Sequence, residues 1–317
     1  GLTLNKNANI TVVGSNNIDL TTYLINFPNE GETIYGKDFQ QGFGGKGSNQ
    51  AVMASLLGAD VSMVTCIGDD AYGQSWLELY KNEGIRTDHV VTIENQSSGV
   101  ASIWVEENGD NRIVIVPGAN NDLSEELVAQ AFENIKEPKV VLSQLENPQA
   151  AILEGFKRGK SLGATTILNP APAAILIDGL LNYTDWPVQN EKEFALIARE
   201  MFDITSDNIE EAIKEFAKQS NTNVVVTLGD KGALYVLANE ESEVENVETI
   251  QVAAKDTTGA GDAFCGTFAY GLAMGFEPNQ AIKLANVIAS DSVTKYGTQK
   301  SYPRDEALNA LVQSVLS

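Results

Sequence analysis

The chain has 317 residues, of which 43% are hydrophobic and 20% are charged, and its 21 Lys and Arg against 43 Asp and Glu give a net charge of −22. This composition is typical of a folded globular protein with a sizeable core. It excludes nucleic acid and anionic membranes as partners, because both are bound by clusters of Lys and Arg. The single histidine, His89, excludes a histidine-rich metal cage and a two-histidine mechanism.

Strand and helix patterns alternate along most of the chain. In chain order they predict a strand at 10–13, a helix at 48–58, a strand at 61–67, a helix at 69–83, a helix at 124–135, a strand at 140–142, a helix at 148–162, a strand at 165–168, a helix at 207–217, strands at 224–228 and 233–237, an acidic loop at 240–248 and mostly helix from 259. Such alternation predicts an α/β fold, with a mainly parallel sheet covered by helices on both faces.

Two stretches break the alternation. Residues 17–42 have no helical period, and two β-rich runs within residues 100–116 flank Asn108-Gly109, a strong hairpin signal. Such insertions form a lid or an interface, or else extra edge strands of the main sheet. We predict one α/β core, comprising residues 1–16, 43–96 and 118–317, and a β lid comprising residues 17–42 and 97–117.

The cysteines and the apolar runs bear on location. Cys66 and Cys265 lie in apolar runs, which predicts buried free thiols typical of a reducing cytoplasm. No run approaches the about 18 apolar residues of a membrane span, and residues 1–9 lack the apolar region of a signal peptide. We therefore expect a cytoplasmic protein with no membrane partner.

The stretch 256–262, with sequence DTTGAGD, precedes a helix rich in small residues. Glycines before a helix free backbone N–H groups to point at one spot, and the helix end adds a partial positive charge, so this stretch predicts an anion hole. Asp262 at its mouth would take a proton from an attacking hydroxyl group. The alternative interpretation is that Asp262 caps the helix.

A second glycine-rich stretch, residues 42–49, also precedes a helix. It is not a P-loop, because Gly47 rather than Ser or Thr follows Lys46, and residues 14–17 lack the dinucleotide fingerprint. It predicts either close backbone approach to a polar ligand or a flexible turn. The side chains that follow the strands are carboxylates and neutral amides, which suit a hydroxyl-rich neutral substrate.

Residues 44–51 and 256–264 resemble the two signatures of the ribokinase-like (phosphofructokinase-B type) carbohydrate kinases, and shorter matches lie at 14–19, 66–70, 144–148, 168–173 and 227–229. The resemblance implies a three-layer α/β/α core with a small β lid, and an ATP-dependent sugar kinase acting on the 5-hydroxyl of D-ribose. Within the family, 2-deoxyribose, fructose, sugar phosphates and nucleosides remain alternatives. The Asn17 amide favours ribose, because it can bond a 2-hydroxyl, and Lys46 as the only cation near the motifs favours an unphosphorylated sugar.

The resemblance also implies roles for individual residues. Asp262 would be the base, beside anion-hole amides of Gly259, Ala260 and Gly261. The residues implied for the sugar are Asn17, Asp19, Gly45, Lys46, Gly47, Ser48, Asn49 and Glu146. Those implied for ATP are Asn190, Glu193, Thr227, Leu228, Gly229, Asp230, Lys231, Gly232, Gly261 and Asn286.

Two ions and a second subunit are implied as well. Mg²⁺ would bridge the phosphates, mostly through water, and the lids of two chains would pair in a homodimer. K⁺ would order the anion-hole loop, at a site formed by Asp256, Thr258, Ser292, Lys295, Gly297 and Ser301.

Three positions depart from the family pattern. Val188-Gln189 replaces the usual Thr-Pro before Asn190, Asn286 stands where histidine is frequent, and Trp104 occupies the second lid stretch.

Two other classes of protein are weighed against the kinase. A non-catalytic sugar or nucleotide sensor would have no need of Asp262, and a nicotinamide-dependent oxidoreductase would need the missing fingerprint.

Overall fold

The computed structural model describes residues 8–317, so most of the polar stretch 1–9, where no signal peptide is predicted, lies outside the described residues. The strands are β1 (Asn9–Val13), β2 (Asn17–Leu24), β3 (Asp38–Gly44), β4 (Asp60–Gly68), β5 (Val90–Ile93), β6 (Val100–Glu106), β7 (Asn111–Val116), β8 (Val140–Ser143), β9 (Thr165–Leu168), β10 (Trp186–Asn190), β11 (Val224–Thr227), β12 (Ala233–Val236) and β13 (Glu245–Val247). The helices are α1 (Lys46–Leu56), α2 (Ala71–Asn82), α3 (Glu125–Phe132), α4 (Gln149–Ser161), α5 (Glu191–Phe202), α6 (Ile209–Ser220), α7 (Ala260–Ala273), α8 (Pro278–Ser292) and α9 (Asp305–Leu316).

A nine-stranded sheet forms the centre of the molecule, in the order β13-β12-β11-β10-β9-β8-β1-β4-β5. The neighbours from β11 to β5 pair in parallel, whereas β12 and β13 are antiparallel at one edge. Val13 of β1 pairs with both Val64 of β4 and Ser143 of β8. The carboxyl ends of these strands therefore share one edge, where an open parallel sheet binds ligands.

Helices cover both faces of this sheet. Along β1, Val12 belongs to the core cluster that includes residues of α1, α2, α7, α8 and α9. Val13 belongs to the cluster that includes residues of α3, α4, α5 and α6. This alternation follows from the two-residue period of a strand buried on both faces. The predicted three-layer α/β/α core is confirmed.

Small residues bring α7 close to its neighbours. A Cβ atom added to Gly266 would lie 2.5 Å from the Gln50 carbonyl oxygen of α1, and one added to Gly271 would lie 2.7 Å from Ala281 of α8. Larger side chains would push these helices apart, because packed interiors leave no space for an extra methyl group. Close packing of α1 and α7 sets the distance between the two glycine-rich segments.

A separate four-stranded sheet has the order β3-β2-β6-β7, with β2 and β6 parallel and the outer pairs antiparallel. The predicted hairpin is confirmed, with Gly109 at φ 92° in the turn between β6 and β7. The interpretation of these strands as edges of the main sheet is wrong. This sheet, residues 17–44 and 100–116, is called the lid from here on.

The sequence patterns missed four elements: β5, β10, α5 and β13. The acidic stretch predicted to be a loop contains β13, whose Val247 is buried against β12. Short edge strands lack a distinctive period and depend on pairing with their neighbours. Cys66 and Cys265 are buried and free, as predicted, and no helix within residues 8–317 is long and apolar enough to span a membrane.

Candidate active site

Asp262 lies in the first turn of α7, buried except for 6% of its surface. Its carboxylate accepts hydrogen bonds from Asn49 Nδ2 at 2.9 Å and Gln50 Nε2 at 3.0 Å. The position that caps α7 is taken by Gly259, in the left-handed conformation (φ 81°), and no side chain caps the helix. The interpretation of Asp262 as a helix cap is therefore wrong, and the carboxylate faces α1 instead.

The start of α7 is open in front of Asp262. Gly261 is exposed, and a Cβ atom added to it would meet nothing within 4 Å. The first N–H groups of a helix have no partners within the helix and attract anions. The predicted anion hole of Gly259, Ala260 and Gly261 thus has an open approach beside a buried carboxylate.

Four side-chain amides that sequence reasoning left without a role form a network behind Asp262. Gln144 Nε2 donates to Gln50 Oε1 at 2.7 Å, and Gln50 Nε2 donates also to Asn169 Oδ1 at 3.1 Å. From the other side, Gln299 Nε2 donates to Asn49 Oδ1 at 3.0 Å. These four amides and that of Asn49 are at most 7% exposed. An amide within an otherwise apolar buried run would have been the available signal, because buried polar groups need partners.

The residues predicted to bind the sugar converge at the carboxyl ends of β1 and β8. The buried Asn17 accepts a hydrogen bond on Oδ1 from Asn120 Nδ2 at 3.0 Å, and its own Nδ2 has no acceptor among the contacts of the described residues. Burial, with Glu146 and Asp262 nearby, raises the pKa of Asp19 to about 7. The pocket thus offers a free amide donor and a carboxyl group that ionises near neutral pH.

Lys46 and Glu146 complete this side. Glu146 Oε1 accepts hydrogen bonds from Ser15 Oγ and from the Lys46 backbone N–H, both at 2.8 Å. The negative charge of Asp262 raises the pKa of the Lys46 ammonium, which stays charged although it is largely buried. One cation therefore lies among three carboxylates, those of Asp262, Glu146 and Glu193.

The turn before α1 is tightly packed, so the flexible-turn interpretation is wrong. Gly45 has φ 88°, and a Cβ atom added to Gly47 would lie 2.3 Å from the Ser15 nitrogen. Ser48 Oγ donates to the Ser15 carbonyl and bonds Tyr80 Oη. Gly47 and Ser48 thus join α1 to β1, while Lys46 and Asn49 face Asp262.

On the nucleotide side, Asn190 and Glu193 form a capping box that starts α5. Asn190 Oδ1 accepts from the Glu193 N–H at 2.8 Å, and Glu193 Oε1 accepts from the Asn190 N–H at 2.9 Å. Gln189, which replaces the usual proline, pairs with Val226 and leaves this turn intact. Burial raises the pKa of Glu193, and Asp262 adds to the effect. No hydrogen bond to Glu193 Oε2 is formed by the described part of the chain.

The other predicted nucleotide residues lie after β11. The stretch 227–232, which contains Thr227, Leu228, Gly229, Asp230, Lys231 and Gly232, turns back into β12. A Cβ atom on Gly232 would lie 2.0 Å from the Val247 carbonyl oxygen. Asn286 donates both amide hydrogens to the carbonyls of Val247 and Glu248. The Asn286 amide therefore holds β13 to α8, and its contact with adenine stays a prediction.

The predicted K⁺ residues meet beside the anion hole. Asp256 accepts the N–H groups of Thr258 and Gly297, each at 2.9 Å, on its two carboxylate oxygens. Lys295 reaches the Ser301 carbonyl oxygen at 3.3 Å with its ammonium group, and its N–H donates to the Ser292 carbonyl at 3.4 Å. These oxygens thus accept N–H groups, one of them from the Lys295 ammonium, and the K⁺ site stays a prediction. Within the described residues no group of three or more His, Cys, Asp or Glu side chains could hold a metal.

Comparisons with known proteins agree with one another. The sequence model described as "pfkB family carbohydrate kinase" matches residues 7–305. The chain is 39% identical to the deoxyribokinase of Salmonella typhi, with 95% of this chain and 97% of that protein covered, and 37% identical to the ribokinase of Haemophilus influenzae, with 95% and 98% covered. Its structure resembles ribokinase from Thermotoga maritima (TM-score 0.88, 36% identity, 96% and 99% covered) and Arabidopsis thaliana ribokinase complexed with ribose and ATP (TM-score 0.85, 28% identity, 96% and 98% covered).

Proposed function

Because the chain belongs to the pfkB family of carbohydrate kinases, and is thus a phosphotransferase with an alcohol group as acceptor, we propose that it transfers the γ-phosphate of ATP to the 5-hydroxyl of D-ribose. The observation that carries the proposal is the buried Asp262 carboxylate at the open N-terminus of α7, held by Asn49 and Gln50. Membership of this family excludes a nicotinamide-dependent oxidoreductase, and the presence of Asp262 with its open helix start disfavours a non-catalytic sensor on the same fold.

Asp262 acts as the general base. It takes the proton of the sugar 5-hydroxyl as that oxygen bonds to the γ-phosphorus, while the bond from phosphorus to the β-phosphate oxygen breaks and ADP leaves. Proton transfer to a positioned carboxylate contributes about 10²–10⁴-fold to the rate. The N–H groups of Gly259, Ala260 and Gly261 stabilise the charge of the transferring phosphoryl group, and Lys46 offsets the crowded carboxylates.

Ribose is favoured over 2-deoxyribose by Asn17. Its Oδ1 is occupied by Asn120, so the Nδ2 hydrogens remain for a hydroxyl oxygen of the sugar. A pocket with a buried donor discriminates against an analogue that lacks the hydroxyl, because the donor is then left unpaired. Overall identity does not decide the sugar, since the deoxyribokinase and ribokinase relatives match at 39% and 37%.

ATP lies along the stretch 227–232 and Asn190, with its phosphates at the start of α7. Mg²⁺ fits this site, because Glu193 keeps one free carboxylate oxygen and Mg²⁺ usually binds one or two carboxylates together with phosphates and water. When bound, it neutralises phosphate charge. K⁺ would bind beside Asp256, whose carboxylate holds the N–H groups of Thr258 and Gly297, and would order the anion-hole loop next to it.

The lid covers the sugar and pairs with the lid of a second chain. Supporting this, Ile113 and Ile115 are about half exposed, and the strand register places them on the same sheet face as Asp19. A second lid would cover these apolar side chains and exclude water, which would otherwise accept the phosphate. The division into a core and a lid of residues 17–42 and 97–117 belongs to this proposal. The free cysteines support a reducing cytoplasm.

The experiment that tests the function is an ADP-release screen with ATP and D-ribose, 2-deoxyribose, fructose, nucleosides and sugar phosphates. The proposal predicts the highest kcat/KM for D-ribose. Preference for 2-deoxyribose would overturn the assignment of Asn17, and turnover with none of the sugars would overturn the proposed reaction.

A further inference from the structure

One segment of the chain contacts both the proposed anion hole and Asn49, a hydrogen-bond partner of Asp262. It comprises residues 298–302, between the candidate K⁺ residue Gly297 and helix α9, and it includes a short 3₁₀-helix, Gln299–Ser301. Gln299 bonds Asn49, which bonds Asp262. Tyr302 Oη donates to the Gly259 carbonyl at 3.1 Å, so the segment holds both ends of the Gly259–Asp262 turn.

Gln299 holds the Asn49 amide from the end opposite Asp262. An asparagine amide has a donor side and an acceptor side. Gln299 Nε2 donates to Asn49 Oδ1, while Asn49 Nδ2 donates to Asp262 Oδ2. The carboxylate accepts only and favours the same orientation, so loss of the donor at residue 299 leaves Asn49 held at one end alone. The two bonds together therefore fix the position of the Asn49 donor in front of Asp262.

Burial makes this orientation strict. Gln299, Asn49 and Asp262 are 7%, 5% and 6% exposed, so water cannot replace a lost partner freely. Buried polar groups without partners are costly, and a carboxylate facing a carbonyl oxygen is worse. The chain separation of 250 residues between Gln299 and Asn49 shows that the contact forms only in the folded protein.

We propose that Gln299 is a positioning residue for the reaction: its amide orients Asn49, and Asn49 then holds the Asp262 carboxylate in the position that receives the proton. This inference rests on the proposed function, in which Asp262 is the base. In the hydrogen-bond network, Asn49 lies between Gln299 and Asp262. Gln299 itself touches neither sugar nor phosphate in this assignment.

The test uses Gln299→Met, which keeps the side-chain size and removes the donor, and Gln299→Glu, which keeps the size and substitutes an acceptor. Lys300→Ala is the matched control, since Lys300 is the exposed neighbour in the same 3₁₀-helix. For each full-length variant, kcat is measured by ADP release, the sugar Kd by calorimetry without ATP, and the melting temperature by scanning calorimetry.

We expect Gln299→Met to lower kcat about 10- to 100-fold, the effect of a misplaced catalytic group, with a sugar Kd within about threefold of the parent. Gln299→Glu should lose at least as much, and Lys300→Ala should match the parent. For Gln299→Met, a kcat within about twofold of the parent would overturn the proposal, and so would equal losses in kcat and sugar affinity. A kcat that falls in step with the melting temperature across the variants would also overturn it.

A double-mutant cycle separates this proposal from the proposed function. In the Asp262→Asn background, Gln299→Met should cause no further loss of residual turnover, because residues that act as one unit are non-additive. The same loss in both backgrounds overturns the role of Gln299 alone. An Asp262→Asn variant with turnover near that of the parent overturns the base itself.

Discussion

Replacing Asp262 by Asn tests the base directly. The substitution keeps the shape of the side chain and removes its ability to accept a proton. A general base contributes about 10²–10⁴-fold, which corresponds to about 2.7–5.4 kcal/mol of transition-state stabilisation. We therefore expect kcat to fall by at least about 100-fold.

The same change has a structural cost that the hydrogen bonds define. Both carboxylate oxygens accept from amide N–H groups, those of Asn49 and Gln50. An asparagine at position 262 turns its own NH₂ group towards one of these donors, and one lost buried hydrogen bond costs about 1–3 kcal/mol. Calorimetric unfolding should thus show a modest drop in melting temperature with the fold retained.

The assay separates chemistry from binding. ADP release gives kcat, and calorimetry gives the Kd values for sugar and for ATP, both of which should change little. Asp203→Asn is the matched control, because Asp203 is exposed at the end of α5 in a left-handed conformation that Asn also tolerates. Turnover within about tenfold of the parent, well short of the loss expected for a missing base, would refute the assignment of Asp262.

Four further predictions concern the sugar pocket, the ions and the lid. Asn17→Leu should lower kcat/KM for ribose about 10- to 100-fold, the loss of one buried hydrogen bond, but that for 2-deoxyribose far less; equal losses would contradict the role of Asn17. With the pKa of Asp19 raised to about 7, its ionised, accepting form increases with pH, so calorimetry should show sugar binding about tenfold tighter at pH 8 than at pH 6, and Asp19→Asn should remove this dependence. Na⁺ in place of K⁺ should lower kcat in the parent and not in Asp256→Ala, and a parent indifferent to the cation would remove the proposed site. Ile113→Lys should reduce the mass measured by light scattering from that of two chains to one, 34.0 kDa; a parent that is already a monomer would contradict lid pairing.

The sequence patterns were sufficient for the fold class and for placing the proposed base, Asp262, at the start of a helix. Strands such as β1 and β9 are short apolar runs, and helices such as α6 carry a strong 3.6-residue period, so local spacing predicts them. The glycines before α7 likewise place Asp262 at the start of a helix, because their effect on the backbone is local.

Elements that form only by pairing with neighbouring strands were missed, because local spacing carries no signal for them. The strand β13 consists of Glu245, Asn246 and Val247, which have no apolar alternation, and it exists because β12 offers backbone partners. The strand β10 was equally hidden, since it is set by its pairing with β9 and β11.

What the sequence determined by itself is the α/β core and the candidate groups on it: a carboxylate at a helix start, glycines for the proposed anion hole, and polar side chains after the strands. What only the tertiary structure decided is how Asp262 is held. Its two partners lie more than 200 residues away along the chain, and Gln299 lies 250 residues from Asn49. The direction of a hydrogen bond between side-chain amides has no signature in the composition or periodicity of the sequence. It is set by the donors and acceptors that the fold buries together.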